Sequence, residues 1–359
     1  MKTNRPRFEV LESRSLCSVT PVDGVVYAQH YGVPGDGTDQ TAALQALIQQ
    51  VPPNTTIDVE GDILLSRTVD ETMGMSKTGG FGTSSGIRLA STGGAGIHGS
   101  FAAPLLGRNL AGANTTASEY FSNITFRNTD PDGIDVELEQ VQDVTVDHCR
   151  FEGGGEGFVV GRNTRTNQDI RVHDTTFVGD LERTPGFVGA DISAGRCDFY
   201  SVAAYQCGIG LSLGGLVNIF GGHCEVDTVG IQTGNRRDFQ GIIQGVDFEA
   251  DGTAIEVAKP TIGLTLDAIN ILGDLQHVGP GSTWPDYAID VERGSGAVFM
   301  TNVTVAGSFN SSAIRLAGNG PVVCIGVFPS NRGLAPTHST VTWDIEMPLD
   351  RLTRIACGI

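Results

Sequence analysis

The sequence predicts an all-β solenoid, a chain wound into stacked coils of short strands. Three observations predict it. Glycine supplies 49 of 359 residues, about twice the usual share, which favours many tight turns over long helices. A four-residue pattern of small, apolar, variable and apolar residues recurs along the chain. The third observation is a single Gly-Asp-Gly turn near the N-terminus that leads into one amphipathic stretch.

The first segment, residues 1–22, carries Lys2, Arg5, Arg7 and Arg14 against Glu9 and Glu12. Those charges interrupt the apolar core that an ordinary secretory signal needs, so the segment reads as an export-associated or disordered tail. Its Leu11-Glu12-Ser13-Arg14 stretch resembles the Leu-Glu-x-Arg segment at the head of many large exported planctomycete proteins. That resemblance implies a secreted or cell-surface bacterial protein.

The body of the solenoid is expected over 23–345, with 346–359 as a C-terminal tail or cap. Near its start, Gly35, Asp36 and Gly37 spell a tight turn and Asp39 can cap a helix. Leu44, Leu47, Ile48 and Val51 then fall on one helical face before Pro52-Pro53 ends it. A short cap helix near 39–51 follows. This turn-and-helix opening resembles that of the pectate-lyase-like superfamily, which includes rhamnogalacturonases, epimerase-like proteins and phage tailspikes. The resemblance implies a single-stranded right-handed parallel β-helix whose first coil is plugged by the helix.

The repeat begins at Gly86 and recurs at Gly133, Gly157, Gly189, Gly210, Gly230, Ala254, Ala288 and Ala313. From Gly133 onward the intervals run from 20 to 34 residues, as stacked β-coils with occasional loop insertions require. A second strand pattern, Asn123–Phe126, Asp143–Val146 and Asp169–Val172, gives each coil at least two strands. Alternation puts Ile134, Phe158, Leu211, Ile231, Ile255 and Ile289 inside. It aims Asp135, Val159, Asp191, Ser212, Gln232, Glu256 and Asp290 outward as a ladder.

Composition narrows the partners. Lys plus Arg 23 against Asp plus Glu 41 gives a net charge of −18, a field that repels nucleic acid and anionic lipid. No stretch is long and apolar enough for a membrane span. Seven scattered cysteines without a Cys-x-x-Cys pair argue against zinc and against a disulfide framework, with Cys197–Cys207 as the one bridge to consider. Cys149, Thr175 and Cys224 are expected in interior stacks.

The richest chemistry is Asn128-Thr129-Asp130-Pro131-Asp132-Gly133-Ile134-Asp135, followed one coil later by Gly155-Glu156-Gly157. Asp132, Asp135 and Glu156 are the candidate catalytic carboxylates, because like charges brought close hold one proton and divide acid from base. The bland alternative is a turn whose aspartates bond their own backbone. The segment resembles the polygalacturonase pattern Asn-Thr-Asp-Gly-Ile-Asp, and Asp130-Pro131-Asp132 resembles the Asp-Pro-His signature of mannuronan epimerases. Gly155, Val188, Ser212 and Gly214 stand where the polygalacturonase pattern has its second aspartate, its histidine and its cations.

Asp191, Arg162, Arg236 and Arg237 are candidate substrate-binding residues, the arginines suited to sugar carboxylates. Arg165 and Arg171 are further candidate bases. Ca²⁺ held by Asp132, Asp135 and Glu156 is the possible cofactor, since it would bridge an acidic protein to an acidic polymer. The expected activity is a polysaccharide lyase or glycoside hydrolase acting on a uronate-containing or related glycan. The rivals are a non-catalytic carbohydrate-binding or adhesion solenoid and a trimeric fibre.

Overall fold

The structure is a computed structural model. It describes residues 19–52, 55–70, 84–108, 117–162, 167–234, 236–249, 251–258, 261–273, 287–292, 295–307, 313–317, 321–325, 328–330, 343–345 and 352–356. The Leu11–Arg14 motif, Cys17 and Arg165 lie outside the described residues. The chain forms a right-handed parallel β-helix in which every named strand pairs in parallel with strands of neighbouring coils. Each coil crosses three faces in turn, here faces A, B and C.

The N-terminal device follows its sequence pattern with one shift: the N-cap is Gln40, whose side chain makes no cap bond, and Asp39 bonds the first turn from the residue before it. Asp39 Oδ1 accepts hydrogen bonds from the Thr41 amide at 3.0 Å and its hydroxyl at 2.5 Å, and the helix runs Thr41–Gln50 with Leu44, Leu47 and Ile48 buried. Gln45 clamps the helix to the strand Val69–Asp70 through two 2.7 Å bonds with the Asp70 backbone. The Gly-Asp-Gly turn differs from expectation: Asp36–Asp39 is itself a short strand against Gly61–Leu64. Gly35 needs to be glycine, because φ is +68° and a Cβ there would lie 1.8 Å from the Glu60 carbonyl.

Face A carries the repeat. In register from coil to coil, Val136, Phe158, Ala190, Leu211, Ile231, Ile255 and Ile289 form one buried column. The register corrects the sequence at one rung. Ile134 lies opposite Glu156, and Val136, not Ile134, lies opposite Phe158. Asp135 consequently leaves the outer ladder, and Glu137 takes its place beside Val159 and Asp191.

Face B contains Asp143–Val146 and Asp169–Val172 in register. Asn123–Phe126, read as the same strand, instead turns the corner into face C, where Thr125 pairs with Arg150. The three look alike because Asn123, Asp143 and Asp169 all adopt left-handed φ, from 54° to 57°, which short polar side chains tolerate best. The corner between faces B and C places one such residue in successive coils: Asn123, His148, Asp174, Ser201, Gly221, Gly245, Ala268 and Asn302.

Inside face C, Phe126, Phe151 and Phe177 stack with 5.3 Å between successive ring centroids. Cys149, Thr175 and Cys224 are buried as expected. Cys197 and Cys207 are free buried thiols, which removes the bridge considered between them. The ladder continues to Leu352–Ala356, which pairs with Val322–Ile325.

The corner between faces C and A buries two acids. Asp227 Oδ1 accepts the Cys207 amide at 2.6 Å, and Asp251 Oδ1 accepts the Asp227 amide at 2.9 Å. The second oxygen of each is buried without a hydrogen-bond partner. Those oxygens occupy room left by Gly210 and Gly230, where a Cβ would lie 2.9 and 3.0 Å from them.

Candidate functional site

The motif that looked most catalytic is largely structural. Asp130 Oδ1 accepts the Asp132 amide at 3.0 Å, which closes an exposed turn. Asn128 donates its side-chain amide to the carbonyls of Phe101 and Ala103, at 3.0 and 2.8 Å, tying that turn to the preceding coil. Gly133 must be small here, since a Cβ would lie 2.4 Å from the Asn128 amide.

Asp135 is 1 % exposed and accepts the Asn128 amide at 2.6 Å. Burial pushes its carboxyl well above the ordinary range. It therefore does not face a groove with Asp132 and Glu156, because the two-residue register shift at this rung turns it into the corner. Nor do these three fit a Ca²⁺ cage: Asp135 is committed to a backbone amide, and Glu156 lies against the Arg162 guanidinium. Among the described residues, the group with metal-competent geometry is Asp147, His148 and Asp174. There His148 Nδ1 is 2.8 Å from Asp147 and Nε2 is 4.0 Å from Asp174, so both ring nitrogens already face carboxylates.

A different constellation forms on the outer side of face A, from Glu137, Glu156, Asp191, Arg162 and Arg236. The two arginines arrive by the same local device. Gly161 follows the strand Glu156–Val160 with φ +75°, and Gly234 follows Val229–Thr233 with φ +78°, turning the chain so that Arg162 and Arg236 come back over the ladder. At Gly161 no other residue fits, because a Cβ would sit 2.3 Å from the Ser193 carbonyl.

Arg162 pairs with Glu156 of its own coil and lies 3.8 Å from Glu137 of the preceding one. Arg236 reaches two rungs back to Asp191 at 2.5 Å. The sequence placed Asp191 and Val159 on the outer side, but they are only 4 % and 0 % exposed. Ser212 and Asp290 are likewise buried, at 1 % and 8 %, whereas Gln232 and Glu256 are partly exposed. Covering side chains explain two of these: Arg236 lies on Asp191, and Arg315 holds Asp290 through two 2.6 Å bonds.

Burial raises both Glu137 and Asp191, opposed chiefly by Arg162 at Glu137 and by Arg236 at Asp191. Each thus sits between a desolvating environment that favours the acid and a guanidinium that favours the carboxylate. Their Cα atoms, two rungs apart, are separated by about 9.6 Å at the usual strand spacing. Arg237, the remaining candidate, packs its Cβ and backbone against Gly214. Its Nη1 is buried and unpartnered. Arg171 stands on face B opposite Asp198 and takes no part in this constellation.

Glu137 is the site residue that the sequence reading missed. Its signal was present in the alternation Val136-Glu137-Leu138, which matches Phe158-Val159-Val160. The glycine rule concealed it, because at this rung Asp135 occupies the small-residue position.

No protein-family model matches the sequence, and no curated protein matches it. Solved structures similar to it include ORF18 of Geobacillus virus E2, at 14 % identity over 87 % of this chain and 63 % of that one, with a TM-score of 0.51. The N-terminal fragment of bacteriophage Phi29 gene product 12 is similar at 15 % identity over 84 % of this chain and 66 % of that one, with a TM-score of 0.49. The family 28 exopolygalacturonase of Yersinia enterocolitica is similar at 11 % identity over 89 % and 78 %, with a TM-score of 0.44. At such identities the likeness is one of fold. This chain spans less than two thirds of the length of either phage protein.

Proposed function

We propose that the protein is an extracellular carbohydrate-active β-helix that hydrolyses a uronate-containing glycan on face A. One observation carries the reading: Glu137 and Asp191 share one outer column two rungs apart, both pushed toward the protonated form by burial and each faced by an arginine. Inverting hydrolysis uses two carboxyls roughly 6.5 to 9.5 Å apart with a water between base and sugar, a range that side chains leaning toward each other from Cα atoms about 9.6 Å apart reach.

In this reading Glu137 donates a proton to the glycosidic oxygen. Asp191, held by Arg236, is the carboxylate that activates water. Arg162 and Arg236 present planar forks to the sugar carboxylates, and Glu156 positions Arg162. A Ca²⁺-dependent lyase is less well supported, because Glu156 and Asp191 are arginine-paired and Asp135 is committed to a backbone amide. The covered state of Val159 and Asp191 favours a second reading, in which the ion pairs only hold the coils and the face binds glycan without cleaving it.

A panel of acidic polysaccharides separates these outcomes. Hydrolysis yields new reducing ends without ultraviolet absorbance, a lyase yields unsaturated uronates that absorb, and a binder yields neither while retaining the glycan. Glu137→Gln and Asp191→Asn should each lower turnover by about 10²-fold or more. The partly exposed Glu137→Gln should leave the melting temperature near the parent's, whereas Asp191→Asn, which removes the buried charge that Arg236 covers, should lower it. Undiminished turnover in both variants would remove the pair from the chemistry.

A further inference from the structure

A cavity of about 720 Å³ lies on face C, away from the arginine cluster. It exists because a rung lacks a side chain. Gly96 occupies the outer column between Asp62 and Thr125, so the floor is backbone. In the adjoining column Leu64, His98, Arg127 and Glu152 follow on successive rungs. Two acid–base pairs wall the space: His98 Nδ1 lies 3.7 Å from Asp62, and Arg127 Nε lies 3.8 Å from Glu152. His148 stands at the rim. The volume is within the range of small-ligand sites.

We propose that this groove is a second binding site, specific for an uncharged oligosaccharide. Its walls set the donors His98 and Arg127 beside the acceptors Asp62 and Glu152, and each carboxylate faces a basic side chain. An anionic ligand would meet the Asp62 and Glu152 carboxylates, and a cationic one would meet the Arg127 guanidinium. Sugar hydroxyls both donate and accept, so they bond to carboxylate, guanidinium and imidazole together without displacing any of them. Face A, where arginines converge, and face C, where donors and acceptors are mixed, thus select different sugars.

Isothermal titration calorimetry tests this with maltohexaose, cellohexaose, xylohexaose and mannohexaose, alongside hexagalacturonate. At least one neutral hexasaccharide should bind, with an affinity that changes little between low and high salt. Gly96→Val should weaken that binding about tenfold or more by filling the floor. The substitution is compatible with the backbone, since φ is not left-handed and the one close atom is Asp62 Oδ1 at 2.7 Å, the end of a flexible side chain. Arg127→Ala should weaken it likewise while the melting temperature stays near the parent's. Turnover of an acidic substrate on face A should survive Gly96→Val. Failure of all four neutral sugars to bind, binding indifferent to both substitutions, or preference of this groove for hexagalacturonate would each overturn the proposal.

Discussion

Asp227 and Asp251 sit one rung apart in a corner whose titratable neighbours are the Cys207 and Cys224 thiols, Glu225 and Glu249. Burial is the main cause that pushes Asp227 up to about 8, and burial with the Asp227 charge holds Asp251 well above its ordinary value. Both acids therefore keep a proton on folding that the unfolded chain releases near pH 4. The stabilisation is complete below about pH 4 and is lost as pH rises toward 8, by up to about 1.4 kcal/mol per pH unit for each acid. Asp227→Asn keeps an oxygen for the Cys207 amide and removes the titration. Melting curves from pH 5 to 9 should fall less steeply for that variant, and parallel curves would refute the assignment. The Asn128–Asp135 segment makes a second residue-level point. Its residue types were legible as chemistry, but side-chain bonds to backbone spend them on shape, and nothing in a local motif distinguishes the two uses. Gly133→Ala should accordingly cost about 1 to 3 kcal/mol in chemical denaturation through collision with the Asn128 amide, a loss that a freely exposed catalytic loop would not show.

The elements were legible wherever one residue type had to recur at one place in the coil. Face A strands follow from their small and apolar columns, and the cap helix follows from Asp39 and its apolar stripe. Register was harder, because Ile134 and Val136 are both apolar and only pairing with Phe158 decides between them. Corners were legible in part: left-handed φ selects Asn, Asp and Gly at most positions, but Ala268 and Val226 carry it too, at 53° and 61°. A β-branched residue is unfavourable in that conformation. Val226→Gly should raise stability by about 1 kcal/mol, measured by urea unfolding, and a drop would mean that packing of the Val226 side chain outweighs the strain. In the opposite direction, Phe177→Ala removes a ring from the face C stack and should cost about 3 to 5 kcal/mol.

At the scale of the whole molecule, composition and the 20-to-34-residue rhythm sufficed to identify a coil stack, because a solenoid needs only that each coil bury its apolar residues against the next. The outer side of face A was legible in part: Arg162, Arg236 and Asp191 stood out as residue types, but Glu137, which joins them, was concealed where Asp135 takes the small-residue position. Circular dichroism should show strand as the dominant regular structure, and Ile231→Asp should unfold the stack or lower its melting point sharply, because it buries an unpaired charge. The three-faced ladder also makes the molecule mechanically anisotropic. Its interstrand hydrogen bonds run along the rod axis, so a load applied between the two ends passes through the coil interfaces one after another. Force spectroscopy should record a staircase in which the rod sheds single coils at nearly constant tension, lengthening gradually and dissipating work at each step, as a yielding tether does.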